Sequence, residues 1–354
     1  MNQVSAAPDI LSDISALSSA MWTYTSLSAA FELGIVKELG APITAADVGR
    51  RLGLDAELTI DLLGVLVALG AVDVSGPRGR EHYVATPAFE MFRAGSLGRV
   101  TRAGMRSDHL QGAEALSCAR AGTLSPGWDH LNPDVLVAQG ETAGLFRLAA
   151  EHVLPALEGL RQALERPGAM FLDVGAGVGV ISTELCLVYP EVAAECLEPN
   201  PEARRIGRAR VRAAGLEARI DYLADGVEGL DASDRYDLAI IPQPFLSGAA
   251  FEEGIARVHS ALRPGGWLLV LTLDVPDSNP VAAAASRFRA RLWGGGAMPA
   301  DELIGMLGGA GFEQPRANPP VGGYRMFAAR RGELVDVGIE QRGAADCRTA
   351  SVRA

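Results

Sequence analysis

The sequence is poor in cysteine and in long apolar runs, and each shortage excludes a class of protein. No stretch reaches 18 uninterrupted apolar residues, which predicts no membrane-spanning helix. The first residues lack a basic segment followed by an apolar run, so we expect a cytoplasmic protein. The cysteines lack the C-x-x-C spacing of zinc sites and thiol oxidoreductases, so we expect reduced thiols in the core and no bound metal. They are Cys118, Cys186, Cys196 and Cys347.

Positive charge is also scarce. The 354 residues carry 43 acidic against 32 basic side chains, a formal charge of −11, and Lys37 is the only lysine. A surface of this sign repels phosphate backbones and anionic lipid, so we expect neither nucleic acid nor a membrane as partner. The length predicts one small and one larger module, and a hydrophobic content of 48% is enough to build their cores.

An amphipathic helix is predicted at the start of the chain. Residues 10–39 carry apolar side chains at three- and four-residue steps, without Pro or Gly before Gly34. The resulting stripe is more apolar than a lone surface helix needs. We expect it to pack on a neighbouring module or on a second copy of the chain.

Residues 43–93 have the pattern of a winged helix-turn-helix. A helix capped by Thr44 is followed by a turn at Gly53, a second helix over 55–69 and a short hairpin within 72–85. This unit opens the hypothesis of a ligand-sensing regulator. However, the segment has five basic and seven acidic residues, and its second helix has three acids and no base. Because DNA-reading elements present positive charge, a dimerisation role is favoured.

A connecting helical layer is predicted over residues 96–166, where helical stretches alternate with Gly and Pro breaks. Its aromatic rings concentrate near Trp128 and Phe146. Both packing between helices and contact with a substrate remain open for these rings.

From Gly168 onward, strand and helix patterns alternate. Helices over 179–189, 201–214 and 250–262 separate the predicted strands, which are AMFLDVGA, AAECLEPN, ARIDYLAD, RYDLAIIP and WLLVLTLDV. Units of this size predict a parallel sheet covered by helices on both faces. Ligands of such sheets bind at the carboxyl ends of the strands, where the polar residues of this segment fall.

The first of these strands ends in a glycine-rich turn, Asp173-Val-Gly175-Ala-Gly177-Val-Gly179. Glycines let the backbone turn sharply and approach a ligand closely. A dinucleotide fingerprint requires G-x-G-x-x-G, and position 180 is Val, so the third glycine comes one residue early. The carboxylate of Asp173 also suits an ammonium group better than a pyrophosphate.

Further polar residues follow the next strands. Glu198 lies 19 residues beyond Gly179, where a carboxylate can bind the hydroxyls of a ribose. Asp225, followed by Gly226, can accept a hydrogen bond from an adenine amino group. Residues 263–266, RPGG, predict a tight turn that leads into the fifth strand.

This order and spacing resembles the class I S-adenosylmethionine-dependent methyltransferases. With the preceding winged segment, residues 10–331 are similar to the small-molecule O-methyltransferases that carry an N-terminal dimerisation domain. The resemblance implies an α/β fold, in which a Rossmann-like sheet of seven strands follows a mostly α winged-helix domain. Its last, antiparallel strand falls at 324–328. The implied S-adenosylmethionine contacts are Asp173, Gly175, Gly177, Glu198, Asp225 and Gly226.

The implied domains are a winged-helix dimerisation domain at 10–95, the helical layer at 96–166 and the cofactor-binding domain at 167–332. The remaining residues, 333–354, have mixed charge and little periodicity, so we expect a flexible tail. The resemblance also implies a homodimer. Its substrate is expected to be a small, largely apolar metabolite, methylated on oxygen or nitrogen. The expected substrate contacts are Phe146, Trp128, Pro244, Phe245 and Trp293.

The catalytic position departs from that family, whose members carry a His-Asp-Trp motif with a general-base His after the fourth strand. Here residues 241–247 read IPQPFLS and contain no ionisable side chain. We therefore expect catalysis mainly by proximity and orientation, or by a base from the helical layer, for which His152, His130 and His109 are candidates. Two alternatives stay open: another reaction that uses the same cofactor, and a ligand-sensing regulator.

Overall fold

The computed structural model describes residues 10–275, 279–321 and 323–332. The predicted tail at 333–354, with Cys347, lies outside this part of the chain. The helices are α1 (Ile10–Glu32), α2 (Ile35–Glu38), α3 (Ala45–Leu52), α4 (Ala56–Ala68), α5 (Pro87–Ala94), α6 (Ser96–Ala121), α7 (Pro133–Glu141), α8 (Phe146–His152), α9 (Leu160–Glu165), α10 (Val180–Val188), α11 (Pro201–Ala213), α12 (Gly248–Ala261), α13 (Pro280–Leu292) and α14 (Ala300–Gly309). The strands are β1 (Ile43–Thr44), β2 (Val72–Ser75), β3 (His82–Ala85), β4 (Ala169–Val174), β5 (Val192–Leu197), β6 (Ile220–Leu223), β7 (Tyr236–Pro242), β8 (Leu262–Leu273), β9 (Phe312–Ala317) and β10 (Tyr324–Arg331).

The N-terminal region contains the helices and the hairpin expected from its sequence. Thr44 caps α3 by accepting a hydrogen bond from the backbone N–H of Asp47 at 3.1 Å, and Gly53 ends that helix in the left-handed region. Strands β1, β3 and β2 form a small antiparallel sheet. Side chains of α2, α3, α4 and the hairpin share one buried core. That this region is a winged-helix dimerisation domain stays a prediction.

Within the described residues, the second sheet has seven strands in the order β6-β5-β4-β7-β8-β10-β9. The pairs from β6 to β8 are parallel, whereas β10 is antiparallel to both of its neighbours. The predicted α/β fold with an antiparallel last strand is confirmed. Because neighbouring strand residues face opposite sides, Phe171 packs in the core on one face and Leu172 in the core on the other. The carboxyl ends of β4, β5 and β6 therefore meet along one edge.

Two local predictions have different outcomes. The turn predicted at residues 263–266 is present within the first part of β8: Gly265 has a left-handed φ of 79°, and the pairing of β8 with β7 shifts register between Tyr236 and Leu238. The second prediction was wrong: His259, near the end of the helix predicted over 250–262, is expected at the surface, where the helix dipole favours a histidine. It is half-buried and packs edge-on against Phe312, and burial with nearby Arg331 lowers the pKa of the imidazole.

The described helices include none that is long and apolar enough to cross a membrane. In the same residues, Cys186 and Cys196 are buried free thiols, as expected for core positions, whereas the free thiol Cys118 is only half-buried.

Candidate cofactor site

The glycine loop, residues 175–179, joins the end of β4 to the start of α10. Gly175, Gly177 and Gly179 have φ values of 63°, 55° and 74°, in the left-handed region that side chains disfavour. A Cβ at Gly179 would also lie 2.3 Å from the hydroxyl oxygen of Tyr222. The loop therefore requires glycine both for its backbone conformation and for its close packing.

Glu198 lies just after β5 and connects that strand to the glycine loop. Its carboxylate accepts hydrogen bonds from the backbone N–H groups of Gly177 at 2.7 Å and Asn200 at 2.8 Å. Burial raises the pKa of this carboxyl, while the two N–H bonds and nearby Arg204 oppose the increase. Each carboxylate oxygen keeps a free lone pair, so Glu198 can still accept hydrogen bonds from ligand hydroxyls.

Asp173 is a second buried acid beside the loop. Its carboxylate accepts a hydrogen bond of 2.5 Å from the hydroxyl of Ser182 on α10. Burial raises the pKa of Asp173 to about 7, and the charge of Glu198 adds to the increase. Two buried acids that repel each other fit a ligand with hydroxyl donors and positive charge. They do not fit a pyrophosphate, and S-adenosylmethionine has both required features.

The raised pKa of Asp173 predicts a pH-dependent stability. The folded protein holds this proton more tightly than the unfolded chain between about pH 4 and pH 7, so its contribution to stability falls as pH rises through that window. Asp173→Asn keeps an acceptor for Ser182 but cannot ionise. In urea titrations at pH 5 and pH 8, the stability of the variant relative to the original chain should rise with pH. A difference that is the same at both pH values would contradict this prediction.

Asp225 and Gly226 follow β6 at the same edge of the sheet. Asp225 is exposed, so its side chain is accessible to a ligand. A Cβ at Gly226 would lie 2.4 Å from the carboxylate oxygens of Glu228, which keeps this position closed to larger residues unless that side chain moves.

Three of the expected substrate contacts form a cluster beyond β7. The ring centroid of Phe245 lies 4.7 Å from that of Trp128 and 4.7 Å from that of Trp293. We call these three residues the three-ring cluster. Pro244 precedes it, and its carbonyl accepts a hydrogen bond from Gly295. Phe146 lies elsewhere, in the core between α8 and the sheet. The structure therefore brings four of the five residues together.

The candidate histidines have different surroundings. His152 is 72% exposed at the end of α8. Both ring nitrogens of His109 are engaged, one with the Met105 carbonyl at 2.7 Å and one with the Thr25 hydroxyl at 3.2 Å. His130 instead lies against the three-ring cluster, its ring 4.4 Å from that of Trp128.

Sequence reasoning missed two residues that shape this edge, Asn200 and Gln243. Asn200 caps α11, and its side-chain amide donates to the carbonyl of His130 at 2.7 Å, which ties the helical layer to the Glu198 side of the site. The order Asn-Pro at the start of a helix pattern is a capping signal that could have identified it. Gln243 donates to the carbonyls of Gly295 and Gly296, and its Oε1 is buried without a partner in the described residues.

No cluster of three or more His, Cys, Asp or Glu side chains suited to a metal ion occurs in the part of the chain that the structure describes.

Curated sequences resemble this chain over different lengths. Residues 149–281 match the family model described as Methyltransferase small domain. A ubiquinone biosynthesis O-methyltransferase of Rhodopseudomonas palustris is 27% identical over 107 residues, which are 30% of this chain and 41% of the relative. The N,N-dimethyltransferase OxyT of Streptomyces rimosus is 24% identical over 328 residues, which are 89% of this chain and 91% of that protein.

A solved structure extends the likeness to both parts of the fold. Human N-acetylserotonin methyltransferase in complex with S-adenosylmethionine has a TM-score of 0.67 at 17% identity, over 94% of this chain and 100% of that one. At this identity the likeness concerns the fold alone. Together with the strand order, it shows that the described residues share the fold of that methyltransferase, and the matched methyltransferase domain lies over residues 149–281.

Proposed function

We propose that this protein transfers a methyl group from S-adenosylmethionine to an oxygen or nitrogen atom of a small, largely apolar metabolite. One observation carries the proposal: two buried acids, Asp173 and Glu198, lie beside a left-handed glycine loop at the carboxyl edge of the sheet. The relatives' names support both acceptor atoms, since one is an O-methyltransferase and the other an N,N-dimethyltransferase.

The residues of this chain bind and orient the reactants. Glu198 and Asp225 would hold the ribose and adenine parts of the cofactor, and Asp173 would favour its positive charge. When bound, the cofactor would supply a methyl group attached to a positively charged sulfur, which leaves readily as a neutral thioether. Phe245 and Trp128, both half-buried and supported by the buried ring of Trp293, would provide an apolar surface that aligns the acceptor and excludes water. Such alignment is worth roughly 7–11 kcal/mol in favourable intramolecular reactions.

The test is transfer of label. The full chain is incubated with S-adenosylmethionine labelled in the methyl group and an extract of small metabolites, and labelled products are separated by chromatography. We expect label in an apolar product, and much less with Glu198→Ala. Cofactor binding without any labelled product would contradict methyl transfer and favour another reaction of the same cofactor.

We further propose that the N-terminal region, residues 10–95, is a winged-helix module through which two copies of the chain associate. Apolar side chains on α1 support this: Leu17, Met21 and Trp22 are 58%, 54% and 63% exposed. A monomer rarely leaves such a stripe in water. The second helix of the predicted winged helix-turn-helix, α4, contains Glu57 and Asp61 and no basic residue, which disfavours a DNA-reading role.

Disrupting this stripe should separate the copies. Leu17→Glu combined with Met21→Glu is expected to convert a dimer into a monomer, because two charges would have to be buried at the interface. Light scattering coupled to gel filtration measures the mass. Val281→Glu, on an exposed part of α13, is the control and should leave the mass unchanged. A dimeric double variant would show that the interface lies elsewhere.

A further inference from the structure

The position after β7 lacks an ionisable side chain, but the helical layer brings a histidine beside it. His130 contacts Trp128, and Trp128 contacts Phe245 in the turn that follows β7. On its other side, the backbone carbonyl of His130 accepts a hydrogen bond from Asn200, whose own N–H donates to Glu198. His130 therefore lies between the predicted ribose acid and the predicted acceptor surface.

The ring of His130 is held in one orientation. Its Nδ1 lies 3.0 Å from a carboxylate oxygen of Glu114 on α6, and the side chains are 17% and 42% exposed. The carboxylate accepts a hydrogen bond from Nδ1–H, which leaves Nε2 as the acceptor nitrogen of the neutral ring. Nε2 makes no hydrogen bond within the described residues. The negative charge of Glu114 would also stabilise the imidazolium that forms when Nε2 takes up a proton.

We propose that His130, oriented by Glu114, is the general base for a hydroxyl acceptor. This assignment rests on the proposed methyl transfer and narrows its substrate class to molecules with an aromatic or enolic hydroxyl. The acceptor oxygen forms a bond to the methyl carbon, and the methyl–sulfur bond breaks with its electron pair remaining on sulfur. The hydroxyl proton passes to Nε2 of His130 and is later released to water.

Kinetics of matched acceptors test the assignment. Saturating S-adenosylmethionine labelled in the methyl group is supplied with 2-naphthol or 2-naphthylamine. We expect methylation of the naphthol, with kcat about 100-fold lower for His130→Gln and about 10-fold lower for Glu114→Gln, as for general bases elsewhere. The acidic limb of the kcat profile against pH should disappear in His130→Gln. His82→Gln, at an exposed position of β3, is the control, and its kcat should change less than twofold.

A second readout needs no turnover. Nitrogen-15 NMR spectra are recorded of protein labelled at its histidines, with S-adenosylhomocysteine bound. The His130 signal is identified as the one that is missing in His130→Gln, and it should show an unprotonated Nε2 at neutral pH. A proton on Nε2 overturns the assignment. This spectrum decides the question even if neither naphthalene acceptor reacts. Methylation of the amine alone, or a His130→Gln kcat within threefold of the original, also overturns it. Absence of S-adenosylhomocysteine binding would contradict the proposed function itself.

Discussion

Glu198→Ala is expected to weaken the binding of S-adenosylhomocysteine at least 100-fold. A hydrogen bond to a charged group contributes about 1.5–3 kcal/mol, and a 100-fold change in affinity corresponds to about 2.7 kcal/mol. The carboxylate would lose its bonds to the ligand, and the N–H of Gly177 in the glycine loop would lose its present acceptor. Equilibrium dialysis with labelled ligand measures the dissociation constant of each variant.

Two further variants separate ligand contact from loop disorder. Glu198→Gln keeps an acceptor oxygen for one of the two backbone N–H groups but loses the charge, so we expect an intermediate affinity. Glu217→Ala removes an exposed acid outside the site and should bind as tightly as the original chain. An unchanged affinity in Glu198→Ala would show that the cofactor site lies elsewhere.

The largest expected loss of stability follows from Asp237→Ala, at the opposite end of the sheet. This buried carboxylate accepts hydrogen bonds from Arg166 at 2.5 Å, from Arg263 at 2.5 Å and from the backbone N–H of Met170 at 2.8 Å. Removing one partner of a buried ion pair costs about 3–5 kcal/mol. Because both arginines keep some contact with water, we expect a decrease of about 3 kcal/mol in the free energy of unfolding.

Urea titration followed by circular dichroism measures this decrease. Asp237→Asn keeps an acceptor for Met170 and should lose less. Asp231→Ala, at an exposed acid, is the control and should unfold within about 0.5 kcal/mol of the original chain. If Asp237→Ala unfolds at the same urea concentration as this control, the two arginines do not depend on the carboxylate as the structure indicates.

The sheet and its acids were predictable because their signals are local. Buried parallel strands read as short apolar runs, and the residue after each run falls at the carboxyl edge. Asp173 and Glu198 could therefore be placed beside the glycine loop before their contacts were known. The turn at the entry into β8 was predictable, but its register shift against β7 was not, since β7 is distant in sequence.

Contacts between the helical layer and the sheet could not be read in the same way. Glu114 and His130 are 16 residues apart, with Gly and Pro breaks between them, so no periodicity relates their side chains. Ser182 resembles any polar residue in the first turns of a helix, yet its hydroxyl bonds the buried Asp173. Aromatic character alone did not separate Phe146, which the structure buries in the central core, from Trp128, which packs in the smaller cluster beyond β7.

Calorimetric titration of the full chain with S-adenosylmethionine tests the central claim most directly. If the glycine loop and the two buried acids form the cofactor site, one molecule should bind per chain with a dissociation constant in the micromolar range. The demethylated product S-adenosylhomocysteine should compete for the same site. A folded chain that releases no heat of binding at millimolar S-adenosylmethionine would contradict the account.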